Sequence, residues 1–201
     1  GSRWNQEDYD KNMSDSISKL RMMEKPGKKI EPGKYRTYIA PAGVADIVGM
    51  FSWGGIGEAS IQQGDSSLCR MRQNNVKMSP CFSLREDFTS GMVPRFNLNG
   101  ELAPEKLDLI LSGSLHNTLV SSRTAKEYGV KSNFAGEQEA MRSPVLAPGD
   151  LNEDDVVQSL DTGIYLSNLH YLNWSDRPGG RITGMTRYAC FWVENGEIVA
   201  P

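Results

Sequence analysis

The sequence predicts an α+β fold in which a predominantly antiparallel β-sheet domain carries a few short helices. After residue 75, most segments are rich in β-branched and aromatic residues, a composition typical of strands. Asn-Gly occurs at 99–100 and 195–196, each time between apolar segments, and this dipeptide is a strong short-range signal for a β-hairpin. Helical and strand-like segments do not alternate in the rhythm of βαβ units, so a parallel α/β fold is not expected.

Four segments have helical patterns. In residues 5–24, apolar residues recur every three or four positions and form one stripe: Met13, Ile17, Leu20 and Met23. Pro41 suits the first turn of a helix that runs to about Phe51. The segment 121–129 begins with a serine cap and ends at a glycine, while 151–163 begins with an Asn or Asp cap and also ends at a glycine.

Six segments are predicted strands because β-branched, aromatic and other apolar residues dominate them. They are 35–40, 76–79, 81–88, 113–122, 163–173 and 183–200. The stretch KPGKKIEPG separates the first helix from the first strand, since proline and glycine interrupt a helix. Within the last strand segment, Phe191 and Trp192 are expected to pack in the core because their neighbours are apolar.

The composition is that of a soluble globular protein with one large or two small domains. The 201 residues carry a formal net charge of -3 without a concentrated basic face, so nucleic acid is not expected as a partner. No apolar run is long enough to cross a bilayer, and no signal-peptide pattern opens the sequence, so no membrane partner is expected. Three cysteines, none in a CxxC pair, indicate reduced thiols and a cytoplasmic location.

The sequence lacks the motifs of the common enzyme classes. His116 and His170 have no further ligand at a spacing typical of zinc sites, so each is expected to be half-buried and hydrogen-bonded. There is no GxSxG elbow and no glycine-rich phosphate-binding motif. Glu86 and Asp87 are adjacent and would point to opposite faces of a strand, and Cys190 lies in an apolar run that predicts a buried thiol. Distant residues could still converge on a metal, which the sequence leaves open.

The segment NWSDRPGGRITGMTR (173–187) holds the most side chains of the kind that bind partners. Trp174, Arg177, Arg181 and Arg187 surround a Pro-Gly-Gly turn, and aromatic and arginine residues are favoured anchors at interfaces. Asp176 can pair with one arginine, and the others need solvent, a partner carboxylate or peptide carbonyls. The alternative is a hairpin whose arginines are only solvated. These four residues are the candidate partner-facing or peptide-facing site.

Several stretches of the sequence resemble the TldD/PmbA family, once described as modulators of DNA gyrase and now viewed as peptidases. They are PGKYRTYIAPAGVADIVGMF, SPCFSLREDF, LSGSLHNTLVSSRTAKEYGV, TGIYLSNLHYLNWSD and GMTRYACFWVENGEIVAP. The resemblance runs from about Pro32 onward and is to the carboxy-terminal half of the family's members. It implies that 32–201 is a β-rich carboxy-terminal domain, incomplete at its end. It also implies that 1–31 is the helix and linker that follow an amino-terminal domain.

The same resemblance locates the family's zinc motif. In TldD-type members the helix after the PGKY-like strand carries HExxxH, with two zinc-binding histidines and a glutamate. Here Ala45 and Met50 stand at the histidine positions and Asp46 at the glutamate position. Alanine has no donor atom, a thioether is a poor zinc ligand, and aspartate is one methylene shorter than the expected base. The resemblance therefore implies no catalytic residue and no metal in this chain, and a helix that supplies core residues: Val44, Ile47 and Val48.

By these features the chain is similar to PmbA-type (TldE-type) subunits. The resemblance implies a homo- or hetero-oligomer in which a TldD-type partner carries zinc and the complex processes small unfolded peptides, while this chain alone is inactive. Two other classes stay open: a stand-alone hydrolase, and a non-enzymatic protein–protein interaction module. A role as a DNA gyrase modulator has the least support, because nothing in the sequence resembles a DNA-binding face.

Overall fold

The computed structural model of the chain describes residues 4–201. Its helices are α1 (Gln6–Met23), α2 (Pro41–Met50), α3 (Glu58–Gln62), α4 (Cys69–Gln73), α5 (Ser122–Tyr128) and α6 (Val156–Leu160). Its strands are β1 (Thr37–Ile39), β2 (Leu84–Asp87), β3 (Lys106–Leu111), β4 (Ser114–Leu115), β5 (Pro144–Leu146), β6 (Gly163–Leu166), β7 (Asn168–Asp176), β8 (Arg181–Arg187), β9 (Phe191–Glu194) and β10 (Glu197–Ala200). A turn of 3-10 helix, Glu153–Asp155, precedes α6. This mixture of helices and mainly antiparallel sheets confirms the predicted α+β class.

Local sequence signals placed most of the helices correctly. Helices α1, α2 and α5 lie within one residue of their predicted bounds at each end. The Ser121 side chain accepts a hydrogen bond from the Thr124 backbone N–H at 3.1 Å, which confirms the serine cap of α5. The helix predicted at 151–163 is shorter than expected and consists of the 3-10 turn and α6.

The strand predictions were less accurate. Residues 76–79 form no strand, and the segment 113–122 contains only the two-residue strand β4. The sequence analysis missed α3, α4, β3 and β5. Helices α3 and α4 have five residues each, too few for a periodic apolar pattern, and β5 begins with a proline.

The chain divides into two compact units. The first contains the described residues up to Asp46, then Asp150–Tyr171 and Gly184–Pro201, and the second contains Ile47–Gly149 and Leu172–Thr183. Helix α2 and the two-stranded sheet of β7 and β8 have residues in both units. Among residues 4–201, no helix has the length and apolar character that a bilayer crossing requires.

The first unit is built on a four-stranded sheet with the order β1-β6-β9-β10. Strand β1 pairs in parallel with β6, and β9 pairs antiparallel with both β6 and β10. The turn from β9 to β10 is Asn195-Gly196, whose φ values of 52° and 77° are those of a type I′ hairpin. The other Asn-Gly pair, at 99–100, lies in the turn between the bridged residues Phe96 and Leu102. The hairpin prediction is confirmed at 195–196, whereas at 99–100 the turn is closed by a single isolated antiparallel bridge and not by two strands.

A row of aromatic rings crosses one face of this sheet. Tyr38, Tyr165 and Phe191 are register partners on β1, β6 and β9, with ring centroids separated by 5.2 and 6.2 Å. The Phe191 side chain is buried, as predicted, but Trp192 is half-buried and makes an edge contact with Tyr35. Because Phe191 and Trp192 are adjacent on a strand, their rings lie on opposite faces of the sheet.

The apolar stripe of α1 exists but does not contribute to the core of the first unit. The exposed fractions of Met13, Ile17, Leu20 and Met23 range from 42% to 62%, and no residue of α1 is buried. A helix on a soluble unit ordinarily directs its apolar face inward. Met22 is the one half-buried residue of α1, and the α1 side chains that lie beside the aromatic row are the polar Lys11, Asp15 and Lys19.

The second unit contains a four-stranded sheet with the order β4-β3-β2-β5. Its best-buried apolar side chains are Met50, Ile56, Leu68, Leu84, Leu109 and Ile110. The turn between β3 and β4 requires a glycine at Gly113, which has a φ of +76°. A Cβ atom there would lie 2.3 Å from the Met78 carbonyl oxygen.

Glu58 is a buried carboxylate that joins three parts of the second unit. Its carboxylate accepts hydrogen bonds from both Nη groups of Arg72 at 2.7 and 2.8 Å, from the Thr118 hydroxyl at 2.5 Å and from the Gln62 side-chain amide at 2.7 Å. Burial by itself raises the pKa of Glu58, but the hydrogen bonds from Arg72, Thr118 and Gln62 outweigh it, so the pKa is lowered. The buried charge is therefore satisfied and has a structural role.

Two other buried carboxylates fix backbone segments. Glu139 accepts from the backbone N–H groups of Ala59 and Ser121, both at 2.8 Å, at the start of α3 and of α5. Glu86 accepts from the Arg142 and Ser143 backbone N–H groups at 3.0 and 3.1 Å; burial raises its pKa, and those two donors offset part of the effect. Each carboxylate thus supplies the acceptors for backbone N–H groups that would otherwise be left unpaired.

Glu58→Gln is expected to lower the free energy of unfolding at pH 7 by about 1–3 kcal/mol, because the Arg72 guanidinium loses its charged partner. The folded pKa of Glu58 lies below the unfolded value of about 4.3. The advantage of the wild type is therefore complete above that value and is lost as the pH falls through the folded pKa.

Urea unfolding of both proteins at a series of pH values checks this expectation. The matched control is Glu127→Gln, because Glu127 is exposed on α5 and should leave the stability nearly unchanged. A stability difference for Glu58→Gln that stays constant down to a pH of about 3 would contradict the assigned role.

Candidate functional site

Helix α2 carries the positions at which the resemblance locates a zinc motif. Ala45 and Asp46 are exposed, and the Asp46 carboxylate accepts a long hydrogen bond of 3.4 Å from the Leu169 backbone N–H. Met50 is 1% exposed and belongs to the apolar core. Of the three expected core residues, Val48 is buried, whereas Val44 and Ile47 are half-buried. The helix therefore uses position 50 for packing rather than for chemistry.

The side chains at these positions do not fit a zinc ion. Alanine supplies no donor, and the Met50 thioether is a soft, neutral group that is buried, so of the three positions only Asp46 carries a carboxylate. Within residues 4–201, no three His, Cys, Asp or Glu side chains come close enough to hold a metal ion.

A cluster of polar and aromatic side chains lies beside this part of α2 in the first unit. We call it the hairpin-base cluster; its members are His170, Tyr171, Arg187, Tyr188 and Cys190. An Arg187 Nη group donates to the His170 Nδ1 atom at 3.0 Å, and its guanidinium lies 4.7 Å from the centre of the Tyr188 ring. Arginine only donates, so the His170 Nδ1 atom is the acceptor in this contact. Arg187 has no carboxylate within ion-pair distance among residues 4–201, so its charge can receive an anion.

Two tyrosines of the hairpin-base cluster have a rare backbone conformation. The φ angles of Tyr171 and Tyr188 are 50° and 61°, and their side chains are 74% and 64% exposed. Bulky residues seldom adopt positive φ, and such strain is concentrated at functional sites. The Cys190 thiol is half-buried rather than buried: it donates to the Arg187 carbonyl oxygen at 3.3 Å and accepts from the Ser167 N–H at 3.4 Å. The hydrogen bonds of the thiol help to fix the chain at Arg187.

The predicted histidine environments are half correct. His170 is half-buried and hydrogen-bonded, as the sequence analysis expected. His116 is exposed, because strand β4 ends at the preceding residue and the chain enters a loop there.

Trp174 and Arg177 are held within the second unit. The Trp174 indole N–H donates to the Trp53 carbonyl oxygen at 3.1 Å, and an Arg177 Nη group donates to the Asp65 carboxylate at 2.5 Å. The Arg177 side chain also covers Gly54, where a Cβ atom would lie 3.2 Å from the same Nη group. The charge of Arg177 is therefore neutralised by a residue far away in the sequence and not by the nearby Asp176.

Arg181 differs from Arg177 because it extends into solvent. Its side chain is 76% exposed, and its nearest acidic partner is the Asp176 carboxylate at 3.8 Å. Asp176 has another role, since it accepts from the Gly179 backbone N–H at 3.0 Å and closes the Pro-Gly-Gly turn. Of the four candidate residues, Arg181 and Arg187 thus retain charge that a partner or peptide can use. They begin and end β8, all of whose residues are exposed.

The sequence alone did not reveal the hydrogen-bond partners that distinguish the candidate arginines from one another. Arg177 and Asp65 are separated by 112 positions, and Arg187 and His170 lie on different strands. No sequence motif predicts the strained conformation of Tyr171 and Tyr188, because a positive φ at a tyrosine has no signature in the neighbouring residues.

Comparison with known proteins extends what the geometry shows. Residues 32–201 match the family described as PmbA/TldA metallopeptidase C-terminal domain. No curated protein matches the chain.

Three similar solved structures share the fold. A proposed modulator of a DNA gyrase from Thermotoga maritima MSB8 matches 87% of this chain with a TM-score of 0.69 and 20% sequence identity. A proposed modulator of DNA gyrase from Bacteroides thetaiotaomicron VPI-5482 matches 94% of this chain with a TM-score of 0.76 and 20% identity. TldE from Thermococcus kodakarensis matches 93% of this chain with a TM-score of 0.70 and 17% identity. The chain spans 41%, 41% and 44% of the lengths of these proteins, in the same order. With the family match over most of its length, the chain belongs to the PmbA/TldD family, and residues 32–201 correspond to the carboxy-terminal domain of its members.

Proposed function

We propose that this chain forms the carboxy-terminal part of a non-metal, PmbA (TldE)-type subunit. In this proposal it assembles in the cytoplasm with a TldD-type subunit that carries zinc, and the complex degrades or processes small unfolded peptides. Residues 1–31 would then connect this domain to an amino-terminal domain.

The observation that carries the proposal is the chemistry of α2 within a chain that belongs to this family. The positions of the HExxxH motif are occupied by Ala45, Asp46 and Met50, and the last of these is 1% exposed. Restoring one histidine at the surface would not rebuild a site, because position 50 is buried. A subunit of this kind depends on a metal-bearing partner for hydrolysis.

Arg181 and Arg187 support the assignment of β8 as the surface that meets the partner or the peptide. Peptide carbonyls and carboxylates accept hydrogen bonds from guanidinium groups, and charged hydrogen bonds are stronger than neutral ones. The exposed ring of Tyr171, in its strained conformation, adds an aromatic contact beside Arg187.

A non-enzymatic interaction module is the alternative function. Two of the similar structures are described as proposed modulators of DNA gyrase, a role that calls for binding rather than hydrolysis. The all-exposed strand β8 suits either role, so the alternatives differ in whether binding changes peptide hydrolysis.

Co-purification with a TldD-type subunit, followed by a peptidase assay on an unstructured peptide, tests the proposed function. We expect a stable complex in which hydrolysis requires both subunits, and metal analysis of untagged protein is expected to find zinc in the partner but not in this chain. The control complex contains a partner whose HExxxH glutamate is replaced by glutamine, which should assemble without hydrolysing peptide.

Either of two results would overturn the proposal. The first is one tightly held zinc ion in this chain alone, together with peptidase activity in the absence of any partner. The second is a stable complex whose peptidase activity equals that of the partner alone, which would identify the chain as a binding module.

The double variant Arg181→Ala/Arg187→Ala is expected to keep the melting temperature nearly unchanged, because both residues are exposed and the contacts of Arg187 are with the His170 ring and the exposed Tyr188 ring. It should weaken assembly or peptide processing by about 1–3 kcal/mol, the contribution of a charged hydrogen bond. Thermal unfolding and titration of the partner measure the two effects.

Two single variants serve as controls for the double variant. Arg177→Ala should lower stability by up to about 1 kcal/mol, because it removes the ion pair with Asp65, and should affect assembly less. Arg123→Ala, at an exposed position of α5, should change neither property. Normal assembly and processing by the double variant would show that the arginines of β8 are only solvated.

A further inference from the structure

A cavity of about 210 Å³ in the first unit is lined by aromatic, apolar and charged side chains, whereas a packing void in a core is lined by apolar ones. The aromatic row of Tyr38, Tyr165 and Phe191 forms one side of it, together with the apolar side chains of Val156 and Ile198. The 3-10 turn and one face of α1 supply the remaining walls. Its volume is below the roughly 300–1,000 Å³ of sites for drug-sized ligands, so a smaller molecule fits.

The rim of the cavity carries charges of both signs. Glu153 and Asp154 come from the 3-10 turn. Lys11, Asp15 and Lys19 come from α1, where their spacing of four residues puts them on one helix face. None of these five side chains has an ion-pair partner within 4 Å among residues 4–201. Charged groups that surround an aromatic surface without pairing with each other remain free to bind a ligand.

Burial and nearby acidic groups both raise the pKa of the two tyrosines in the aromatic row. Burial raises the pKa of Tyr38, and the Tyr165 and Glu153 charges raise it further. The pKa of Tyr165 is raised by burial first and then by Glu153, Cys190 and Asp15. Acidic groups from two different elements therefore act at one end of the aromatic row, and a positive group of a ligand would be stabilised there.

We propose that this cavity binds a small zwitterion of amino-acid size with an aromatic or large apolar side chain. Its ammonium group lies between Glu153 and Asp15, above the tyrosine pair. Its carboxylate is held by Lys11 or Lys19, each one helical turn from Asp15, and its side chain packs on Tyr165 and Phe191. This site is separate from the arginines of β8 and does not depend on the proposed peptidase role.

Isothermal titration calorimetry on the 201-residue chain tests the proposal with three probes at low salt. L-Phenylalanine carries both charges, phenethylamine lacks the carboxylate, and 3-phenylpropionate lacks the ammonium group. We expect L-phenylalanine to bind with one site per chain and about tenfold more tightly than either truncated probe, because each loses one set of charged hydrogen bonds.

Charge-neutralising variants separate the two ends of the site. Glu153→Gln should lower the affinity for L-phenylalanine and for phenethylamine by about threefold to tenfold, and it should leave the affinity for 3-phenylpropionate unchanged. The double variant Lys11→Gln/Lys19→Gln should lower the affinity for L-phenylalanine and for 3-phenylpropionate, and it should leave the affinity for phenethylamine unchanged. Glu197→Gln and Lys29→Gln change exposed residues of the same unit that do not line the cavity, so they serve as matched controls.

Three outcomes would overturn the proposal. One is the absence of saturable binding of L-phenylalanine up to its solubility limit. Another is equal affinity for all three probes, which would mean that the rim charges take no part. The third is the same loss of affinity in the control variants as in the rim variants, with circular dichroism showing that all of them are folded.

Discussion

The parallel pairing of β1 with β6 is the constraint on which the first unit depends. It joins two parts of the chain that are far apart in the sequence, through hydrogen bonds such as Ile164 N–H to the Arg36 carbonyl and Ala40 N–H to the Leu166 carbonyl, both 2.9 Å long. The approach is so close that a Cβ atom at Gly163 would lie 2.2 Å from the Arg36 oxygen, so only glycine fits there. Two features follow from this register: Tyr38 meets Tyr165 in the aromatic row, and the start of α2 lies beside the chain that enters β7, where Asp46 meets Leu169.

Charged side chains in this protein fall into two groups that differ in how they are satisfied. Glu58, Glu86 and Glu139 are buried, and each receives donors from the protein itself, so they stabilise loops and helix ends. The arginines of β8 and the charges around the aromatic cavity are exposed, and the protein supplies few partners for them. Binding to other molecules is expected from the second group, because a group already satisfied inside the fold gains little from a ligand.

Helix α2 packs into the fold without metal-binding side chains at positions 45 and 50. The helix needs a small, mostly apolar sequence to pack, and its packing uses Val48 and Met50. Met50, at a position where the resemblance locates a zinc-binding histidine, fills space in the core, since a thioether side chain adapts to irregular gaps. The packing of this helix depends on its buried side, so the exposed side is free to vary without loss of the fold.

The sequence by itself determined the features that depend on neighbouring residues. The serine cap and terminal glycine of α5, the start of α2 at Pro41 and the Asn195-Gly196 turn are local, and each was predicted correctly. The family was also recognisable from contiguous stretches of sequence. The prediction of a strand at 76–79 was wrong, because a strand forms only when another strand pairs with it, and no local sequence pattern reveals that partner.

Only the tertiary structure decided which functional candidates keep their charge. Arg177 and Arg181 look equivalent in the sequence, but Asp65 neutralises the first while the second stays in solvent. The burial of Met50, the pairing of Arg187 with His170 and the aromatic cavity likewise come from segments distant in the sequence. Burial and ion pairing depend on which segments meet in space, and chain topology sets those meetings. Caps and turns depend on residues two to four positions apart, which is why the sequence alone could determine them.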